Sequence, residues 1–201
     1  MSGKKGLDRY TEIIWRPIIE KELAHIKDSV VADFGCGYAR YTSQLADNNE
    51  YLGVDIIDTP FSNIHSSVED VPIPSEYCDE VVALGILDYA KPYSTLCEAM
   101  RVLKPGGNIY IMVPHVFSPY HLVSMMFGSR KDKRRYTYDE ISAMINRLGF
   151  VEDYALIKGF CVYVPTKILQ DLLIPVFLAL DGVLGQYFGN NVYLRAHKPK
   201  R

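Results

Sequence analysis

The sequence has little of what would set it apart from ordinary globular proteins. Its four cysteines have no C-x-x-C spacing, so they indicate neither a disulfide framework nor a zinc site, and we expect reduced thiols. The formal net charge of −2 provides no general attraction to nucleic acid or to an anionic membrane. The charged N-terminus is not followed by the apolar segment of a secretory signal. We therefore expect a cytoplasmic protein with no nucleic-acid partner.

The sequence also has no apolar run that is expected to cross a bilayer. The most apolar stretch, 172–180, contains Pro175 and lies between Asp171 and Asp181, so it is too short and too interrupted. The 201 residues, 48% of them hydrophobic, suffice for one domain with a core of its own. We expect a single domain over residues 1–201.

Short β-prone segments alternate with segments of helical periodicity. Strands are predicted at 30–34, 51–55, 79–84 and 108–113, with weaker candidates at 64–68, 154–157 and 192–196. This alternation predicts an α/β fold with a doubly wound, Rossmann-like, mostly parallel sheet. Ligands of such sheets bind beyond the carboxyl ends of the strands, where the strand order reverses. The first strand-to-helix turn is therefore the expected site.

Helix boundaries are indicated at several points of the chain. An N-terminal helical segment is predicted at 5–28, and a second one near 41–46. Two further helices are predicted to begin at the capping-box patterns Thr95-x-x-Glu98 and Thr137-x-x-Glu140. The last of these is expected to end at Gly149.

The first predicted strand runs into the turn Asp33-Phe34-Gly35-Cys36-Gly37. Glycine permits a sharp turn and a close approach of a ligand to the backbone. Arg40 occupies the position of the third glycine in the dinucleotide fingerprint, and the Asp33 carboxylate would repel a pyrophosphate. The same carboxylate suits a ligand that carries an ammonium and a sulfonium. The turn favours an aminoacyl-nucleoside, and a nicotinamide-dependent oxidoreductase is the less favoured alternative.

A second acid, Asp55, ends the second predicted strand about twenty residues further on. A carboxylate at this position can accept hydrogen bonds from both hydroxyls of a ribose. The alternatives are a solvated loop aspartate for Asp55 and a helix N-cap for Asp33. The two acids at this spacing favour nucleoside binding.

These residues resemble the class I S-adenosylmethionine-dependent methyltransferases, in particular the small-molecule, type 11-like subgroup. Asp33-x-Gly35-x-Gly37-x-Ala39 matches the first motif of that family, with Ala39 in place of the usual third glycine. The resemblance extends over 30–113 and loosely to 150. It includes segments similar to the fourth-strand motif, at 78–82, and to the turn before the fifth strand, at 103–107.

The resemblance implies S-adenosylmethionine as the cofactor and a set of residues around it. The first-motif glycines would pass under the methionine part, and Asp55 would hold the ribose. Ser67 stands where the family commonly has an aspartate on the adenine amine, so adenine would rest on the Val68 backbone. The implied cofactor residues are Asp33, Gly35, Cys36, Gly37, Asp55, Ile56, Ser67, Val68, Glu69 and Leu84.

The group that would assist methyl transfer is less clearly indicated. Such a transfer needs alignment and at most a general base. His115 and His121 follow the fifth predicted strand, and a histidine can accept a proton near neutral pH. Asp88 follows the fourth strand, where the family often has a histidine. The alternative for both histidines is a surface or hydrogen-bonding role. No arrangement of acids and histidines indicates a metal site.

Two segments exceed the minimal fold, at 114–136 and 165–190. We expect them to form either lids over an acceptor or a docking surface. The first contains the basic run 130–135, for which a solvated loop is the alternative to anion binding. The second is strongly apolar, and core or lid, homodimer contact and peripheral membrane contact stay open. The predicted function is methyl transfer to a small or amphiphilic acceptor, with a small molecule and a lipid-linked molecule as the two kinds of acceptor. The alternative is a non-catalytic S-adenosylmethionine-binding regulatory or partner protein.

Overall fold

The computed structural model describes residues 5–126, 134–164 and 166–200, and its centre is a seven-stranded sheet. The strand order is β3-β2-β1-β4-β5-β7-β6. The strands are β1 (Val30–Phe34), β2 (Glu50–Asp55), β3 (Ile64–His65), β4 (Cys78–Leu84), β5 (Leu103–Pro114), β6 (Val151–Lys158) and β7 (Asn191–His197). Each neighbouring pair is parallel except that β7 runs antiparallel to both β5 and β6.

Helices cover both faces of this sheet. They are α1 (Lys5–Leu23), α2 (Leu45–Asn48), α3 (Pro92–Val102), α4 (Pro119–Met126), α5 (Tyr138–Leu148) and α6 (Lys167–Phe188). On one face, Phe34 packs in a core with Leu96 of α3 and Ile141 of α5. On the other, Val31 packs with Trp15 of α1. Because side chains alternate along a strand, β1 is buried on both faces, as in doubly wound folds.

The strand order agrees with the expected ligand-binding position at the turn after β1. The chain leaves β1 towards β2 and β3 on one side, and it continues from β4 to β5 on the other. Strand order therefore reverses between β1 and β4, the position at which α/β sheets bind ligands. The predicted Rossmann-like, mostly parallel fold is confirmed.

One of the two predicted capping boxes is present, and the prediction of the other is wrong. Thr137 Oγ1 accepts a hydrogen bond from the backbone of Glu140 at 3.1 Å, and the reciprocal bond is also made. Thr95, in contrast, lies inside α3, where its hydroxyl donates to the carbonyl of Lys91 at 3.0 Å. The helix begins earlier because Pro92, with its fixed φ and missing N–H, favours the first helical position.

Other element boundaries differ from the prediction as well. The segment 41–46 consists of turns up to residue 44 and joins the single helical turn of α2. One cause is local, because the Thr42 hydroxyl donates to Asp33 at 2.6 Å. Helix α1 ends at Leu23, and the chain then turns through Asp28, whose φ is +51°. Strand β5 begins at Leu103 and includes the segment 103–107, which was predicted as the turn before it.

Helix α6 is longer than its sequence suggested. It continues through Pro175 for 22 residues, so the stretch judged too short and too interrupted to span a bilayer belongs to one long helix. The segment Asp171–Phe188 has a mean hydropathy of 1.4 and is long and apolar enough to cross a membrane by those two measures alone. The helix connects Lys158 at the end of β6 to Asn191 at the start of β7, which pair with each other.

Candidate functional site

The turn after β1 is held against the end of β2. The backbone N–H of Gly35 donates to the carbonyl of Val54 at 2.7 Å, and that of Gly37 donates to Asp55 Oδ2 at 2.9 Å. Gly37 and Ala39 both have positive φ, +49° and +47°. Asp55 thus stabilises the turn directly, in addition to any contact with a ligand.

The two glycines of this turn serve different purposes. A Cβ on Gly35 would lie 2.6 Å from the side chain of Ile86, so the small residue is required by packing inside the protein. A Cβ on Gly37 would meet no atom within 4 Å. The space beside Gly37 is therefore open to a ligand that approaches the backbone.

Asp33 is buried at the end of β1, with 3% of its surface exposed. Its Oδ2 accepts hydrogen bonds of 2.6 Å from both the Thr42 hydroxyl and the Tyr51 hydroxyl. Burial raises the pKa of Asp33 to about 6, while the two hydrogen bonds act in the opposite direction. The second oxygen, Oδ1, makes no hydrogen bond to Thr42 or Tyr51.

A cleft of about 230 Å³ opens beside this turn. Its lining residues are Asp33, Gly35, Cys36, Arg40, Tyr41, Thr42 and Leu84. Arg40 Nε lies 3.7 Å from Glu12 Oε1, which ties α1 to the rim of the cleft. Burial raises the pKa of the Cys36 thiol to about 12, so this cysteine lines the cleft as an uncharged thiol.

Sequence reasoning missed several residues of this site. Tyr51 and Thr42 hold Asp33, and Arg40 and Tyr41 line the cleft. Thr59 donates its hydroxyl to the carbonyl of Gly37 at 2.5 Å. Thr42 could have been found, since it lies within one turn of the glycine motif. Tyr51 and Thr59 come from separate segments and carry no local signal.

Four of the implied cofactor residues follow Asp55 closely in the chain: Ile56, Ser67, Val68 and Glu69. Ile56 is 69% exposed, next to Asp55. The Val68 side chain is buried in the core, and the Ser67 hydroxyl accepts a hydrogen bond from the Glu69 backbone at 3.2 Å. Glu69 Oε1 accepts from the backbone N–H of Lys91 at 2.9 Å, which lowers the pKa of this carboxyl. Glu69 thus anchors the start of α3 in this structure.

The two candidate histidines both contact Asn190, the residue immediately before β7. The backbone N–H of His115 donates to the Asn190 carbonyl at 2.8 Å, and His121 Nε2 lies 3.3 Å from the same oxygen. The Ser118 hydroxyl and the Cys161 thiol contact the Asn190 side chain. Asn190 thus joins segments that are far apart in sequence, and sequence reasoning did not identify it.

His115 itself is buried, and its Nδ1 lies 3.1 Å from the carbonyl of Gly189. Burial lowers its pKa, so the ring is neutral at pH 7. A neutral ring whose Nδ1–H donates to a carbonyl has a lone pair on Nε2. Asp88 is also buried, in the turn after β4, where it contributes to raising the pKa of Tyr136.

In residues 5–126, 134–164 and 166–200, no group of three or more histidine, cysteine, aspartate or glutamate side chains is placed to hold a metal ion.

A sequence model of the family described as "Methyltransferase domain" matches residues 32–111. This match covers about two fifths of the chain, and the fold of the chain is shared with solved S-adenosylmethionine-dependent methyltransferases. The matched segment runs from β1 to β5 and includes the glycine turn, Asp55 and Leu84. The family uses S-adenosylmethionine as its cofactor, which agrees with the paired acids of the site.

The chain is similar to curated proteins that act on different acceptors. It is 32% identical over 72 residues to the demethylmenaquinone methyltransferase of Chlamydia muridarum, a match that covers 34% of this chain and 31% of that protein. It is 29% identical over 125 residues to a tRNA (carboxymethyluridine(34)-5-O)-methyltransferase of Macaca fascicularis, covering 56% of this chain and 18% of that protein. These two matches span less than two fifths of each relative.

One solved structure shares the fold of this chain. It is the Burkholderia thailandensis 1,6-didemethyltoxoflavin-N1-methyltransferase with bound 1,6-didemethyltoxoflavin and S-adenosylhomocysteine. The two structures superpose with a TM-score of 0.61 at 14% identity, over 98% of this chain and 80% of that one. At this identity the likeness concerns the fold.

Proposed function

We propose that the chain binds S-adenosylmethionine at the turn after β1 and transfers its methyl group to a small or amphiphilic acceptor. The observation that carries the proposal is the pair Asp33 and Asp55 on either side of the turn whose Gly37 is open to a ligand. The cofactor supplies a methyl group on a positively charged sulfonium. A buried acid and a nearby exposed turn suit a ligand with that charge.

Each part of the cofactor has a matching element at this site. Asp55, which already accepts the Gly37 N–H, would accept the ribose hydroxyls. The cleft lined by Asp33 and Arg40 offers both a carboxylate and a guanidinium to the ammonium and carboxylate of the aminoacyl end. The backbone of Val68 would contact the adenine.

The acceptor side is formed by the turns after β4 and β5. Exposed aromatic and aliphatic side chains follow these strands: Tyr89, Phe117 and Leu122 are between 48% and 68% exposed. Such a surface favours an apolar or amphiphilic acceptor. The demethylmenaquinone and 1,6-didemethyltoxoflavin enzymes among the similar proteins support an acceptor of small-molecule size.

His115 is our first candidate for accepting a proton from the acceptor. Its ring is kept neutral by burial and oriented by the Gly189 carbonyl. General base catalysis of this kind contributes about a hundredfold to ten-thousandfold to a rate. His121, which contacts the same segment through Asn190, is the second candidate, and Asp88 is the third.

The test is a methyl-transfer assay with a panel of phenolic, quinol and amine acceptors, in water and in detergent micelles, that measures release of S-adenosylhomocysteine. We expect turnover with at least one apolar acceptor. The variant His115→Gln should reduce kcat by about a hundredfold with little change in cofactor affinity. The matched control is His65→Gln, at an exposed position of β3, which should leave kcat unchanged.

Two results would contradict the proposal. Tight cofactor binding without turnover on the panel would favour a non-catalytic binding protein. Turnover with RNA acceptors alone would overturn the assignment of the acceptor class while leaving the cofactor site intact.

A further inference from the structure

A network of ion pairs joins helix α1 to the rim of the cofactor cleft. Glu12 Oε1 lies 3.7 Å from Arg40 Nε and 3.6 Å from Arg16 Nη2. The Arg16 guanidinium lies over the ring of Tyr41, 5.7 Å from the ring centroid. Arg40 and Tyr41 both line the cleft, together with Asp33. Two guanidinium groups at the rim therefore share one carboxylate, which α1 supplies.

The contacts of the Glu12 carboxylate are loose. Both distances exceed the range of about 2.7 to 3.2 Å that is usual for an N–H···O hydrogen bond. The side chains of Glu12, Arg16 and Arg40 are between 39% and 47% exposed. Exposed ion pairs contribute little to stability, because water screens the charges and the long side chains lose conformational freedom. A second carboxylate can therefore replace Glu12 at small cost.

Helix α1 does not depend on Glu12 for its place in the fold. Trp15 and Ile19 are fully buried in the core beneath the helix. Tyr10 is buried as well, and its hydroxyl donates to the carbonyl of Phe160 at 2.6 Å. These contacts keep α1 attached to the protein when Glu12 changes its partner.

S-adenosylmethionine carries a carboxylate of its own at its aminoacyl end. This inference rests on the proposed function, in which that end enters the cleft lined by Asp33 and Arg40. The ammonium is suited to Asp33, whereas the carboxylate requires the same kind of guanidinium partner as the Glu12 side chain. Two carboxylates at one guanidinium repel each other, so the ligand and Glu12 oppose each other at Arg40.

We propose that Glu12 competes with the carboxylate of the cofactor for Arg40 and Arg16, and that cofactor binding displaces Glu12 from the rim of the cleft. Helix α1 thereby lowers the affinity of the site for its cofactor, since the arrangement that binds the ligand carboxylate is only a fraction of the whole. A nucleoside without the aminoacyl group meets no such competition. The effect is therefore confined to one end of the ligand.

The test is calorimetric titration of the full chain with S-adenosylhomocysteine and with methylthioadenosine, which has the same nucleoside and sulfur but neither the ammonium nor the carboxylate. In Glu12→Gln, S-adenosylhomocysteine should bind about threefold to fivefold more tightly, because the competing charge is removed. Methylthioadenosine should bind the variant and the wild type equally. The matched control Asp47→Asn removes the same charge at an exposed position of α2 and should change neither affinity.

A second variant tests the shared guanidinium. Arg40→Gln should weaken the binding of S-adenosylhomocysteine by about threefold to tenfold and leave that of methylthioadenosine unchanged. When Arg40→Gln is already present, Glu12→Gln should raise the affinity by less than it does in the wild type, because the two substitutions affect one contact. Melting curves check that each variant is folded.

Three results would overturn this inference and leave the proposed cofactor site intact. Glu12→Gln binds S-adenosylhomocysteine no more tightly than the wild type does, or it binds methylthioadenosine more tightly to the same extent, or Arg40→Gln weakens both ligands equally. Failure of both ligands to bind the wild-type chain would contradict the proposed function itself, and this inference with it.

Discussion

Replacing Asp33 by asparagine should change how the stability of the protein depends on pH. Asp33 is buried, and its pKa of about 6 lies well above the ordinary value of 3.8, mainly because burial disfavours the charged form. Asparagine has nearly the same shape and retains an oxygen to accept from Thr42 and Tyr51. The substitution therefore removes the titration while it keeps most of the packing.

The size of the effect follows from the two pKa values. Each pKa unit corresponds to about 1.4 kcal/mol, so the difference between 3.8 and about 6 gives about 3 kcal/mol. Between these values the native state binds more protons than the unfolded state, so stability falls as the pH rises. The contribution of Asp33 is complete below about pH 4 and is lost as the pH rises through about 6.

The assay is denaturant unfolding of the wild type and Asp33→Asn at closely spaced pH values from 4 to 8. The free energy of unfolding of the variant minus that of the wild type should rise by about 2 to 3 kcal/mol across this range, with its midpoint near pH 5 and a plateau above about pH 6. If the amide costs stability by an amount that does not depend on pH, this cost does not alter how the difference in free energy of unfolding changes with pH. Asp58→Asn, in an exposed loop, is the matched control and should give a flat difference.

A flat difference for Asp33→Asn as well would refute this reasoning. It would show that the hydrogen bonds from Thr42 and Tyr51 outweigh the cost of burying the charge. A difference that falls with pH would show that Asp33 is ionised throughout the range and stabilises the native state in that form.

Three further substitutions test the local structure. Gly37→Ala should weaken S-adenosylmethionine binding by tenfold or more in calorimetry, because the new Cβ enters the open space, and should cost about 1 kcal/mol of stability at a φ of +49°. Thr137→Ala should lower the free energy of unfolding by about 1 kcal/mol, whereas Thr166→Ala, at a helix start without a side-chain cap, should change it by only a few tenths. Gly149→Ala should cost about 1 kcal/mol at a φ of +91°, while Gly182→Ala, inside α6, should gain a similar amount in thermal melts.

The parts of the fold that sequence predicted well are those with a strong local pattern. The buried strands β1 and β4 are short apolar runs bounded by turn residues, and the parallel order follows from their alternation with helices. The Asp33 and Asp55 positions were predicted because both acids directly follow such runs. Gly149 also ends α5 in the left-handed conformation, as predicted.

The parts that were missed depend either on a neighbouring residue that overrides a local pattern or on contacts between distant segments. Thr95 matched the capping pattern as well as Thr137 did, and Pro92 a few residues before it determined the start of α3. Asn190 contacts Ser118 and His121 across about seventy residues of chain. The outward orientation of the apolar face of α6 could not be predicted, because a helix that is apolar on most sides gives no amphipathic direction.

Calorimetric titration of the purified chain with S-adenosylmethionine, S-adenosylhomocysteine and NAD tests the central claim most directly. We expect both adenosyl ligands to bind and NAD not to bind. In Asp55→Ala the affinity should fall by about tenfold to a hundredfold, because hydrogen bonds to a charged acceptor are lost, and in the control Asp58→Ala it should not change. Binding of NAD alone, or of none of the three, or equal binding by Asp55→Ala, would contradict the assignment of the cofactor site.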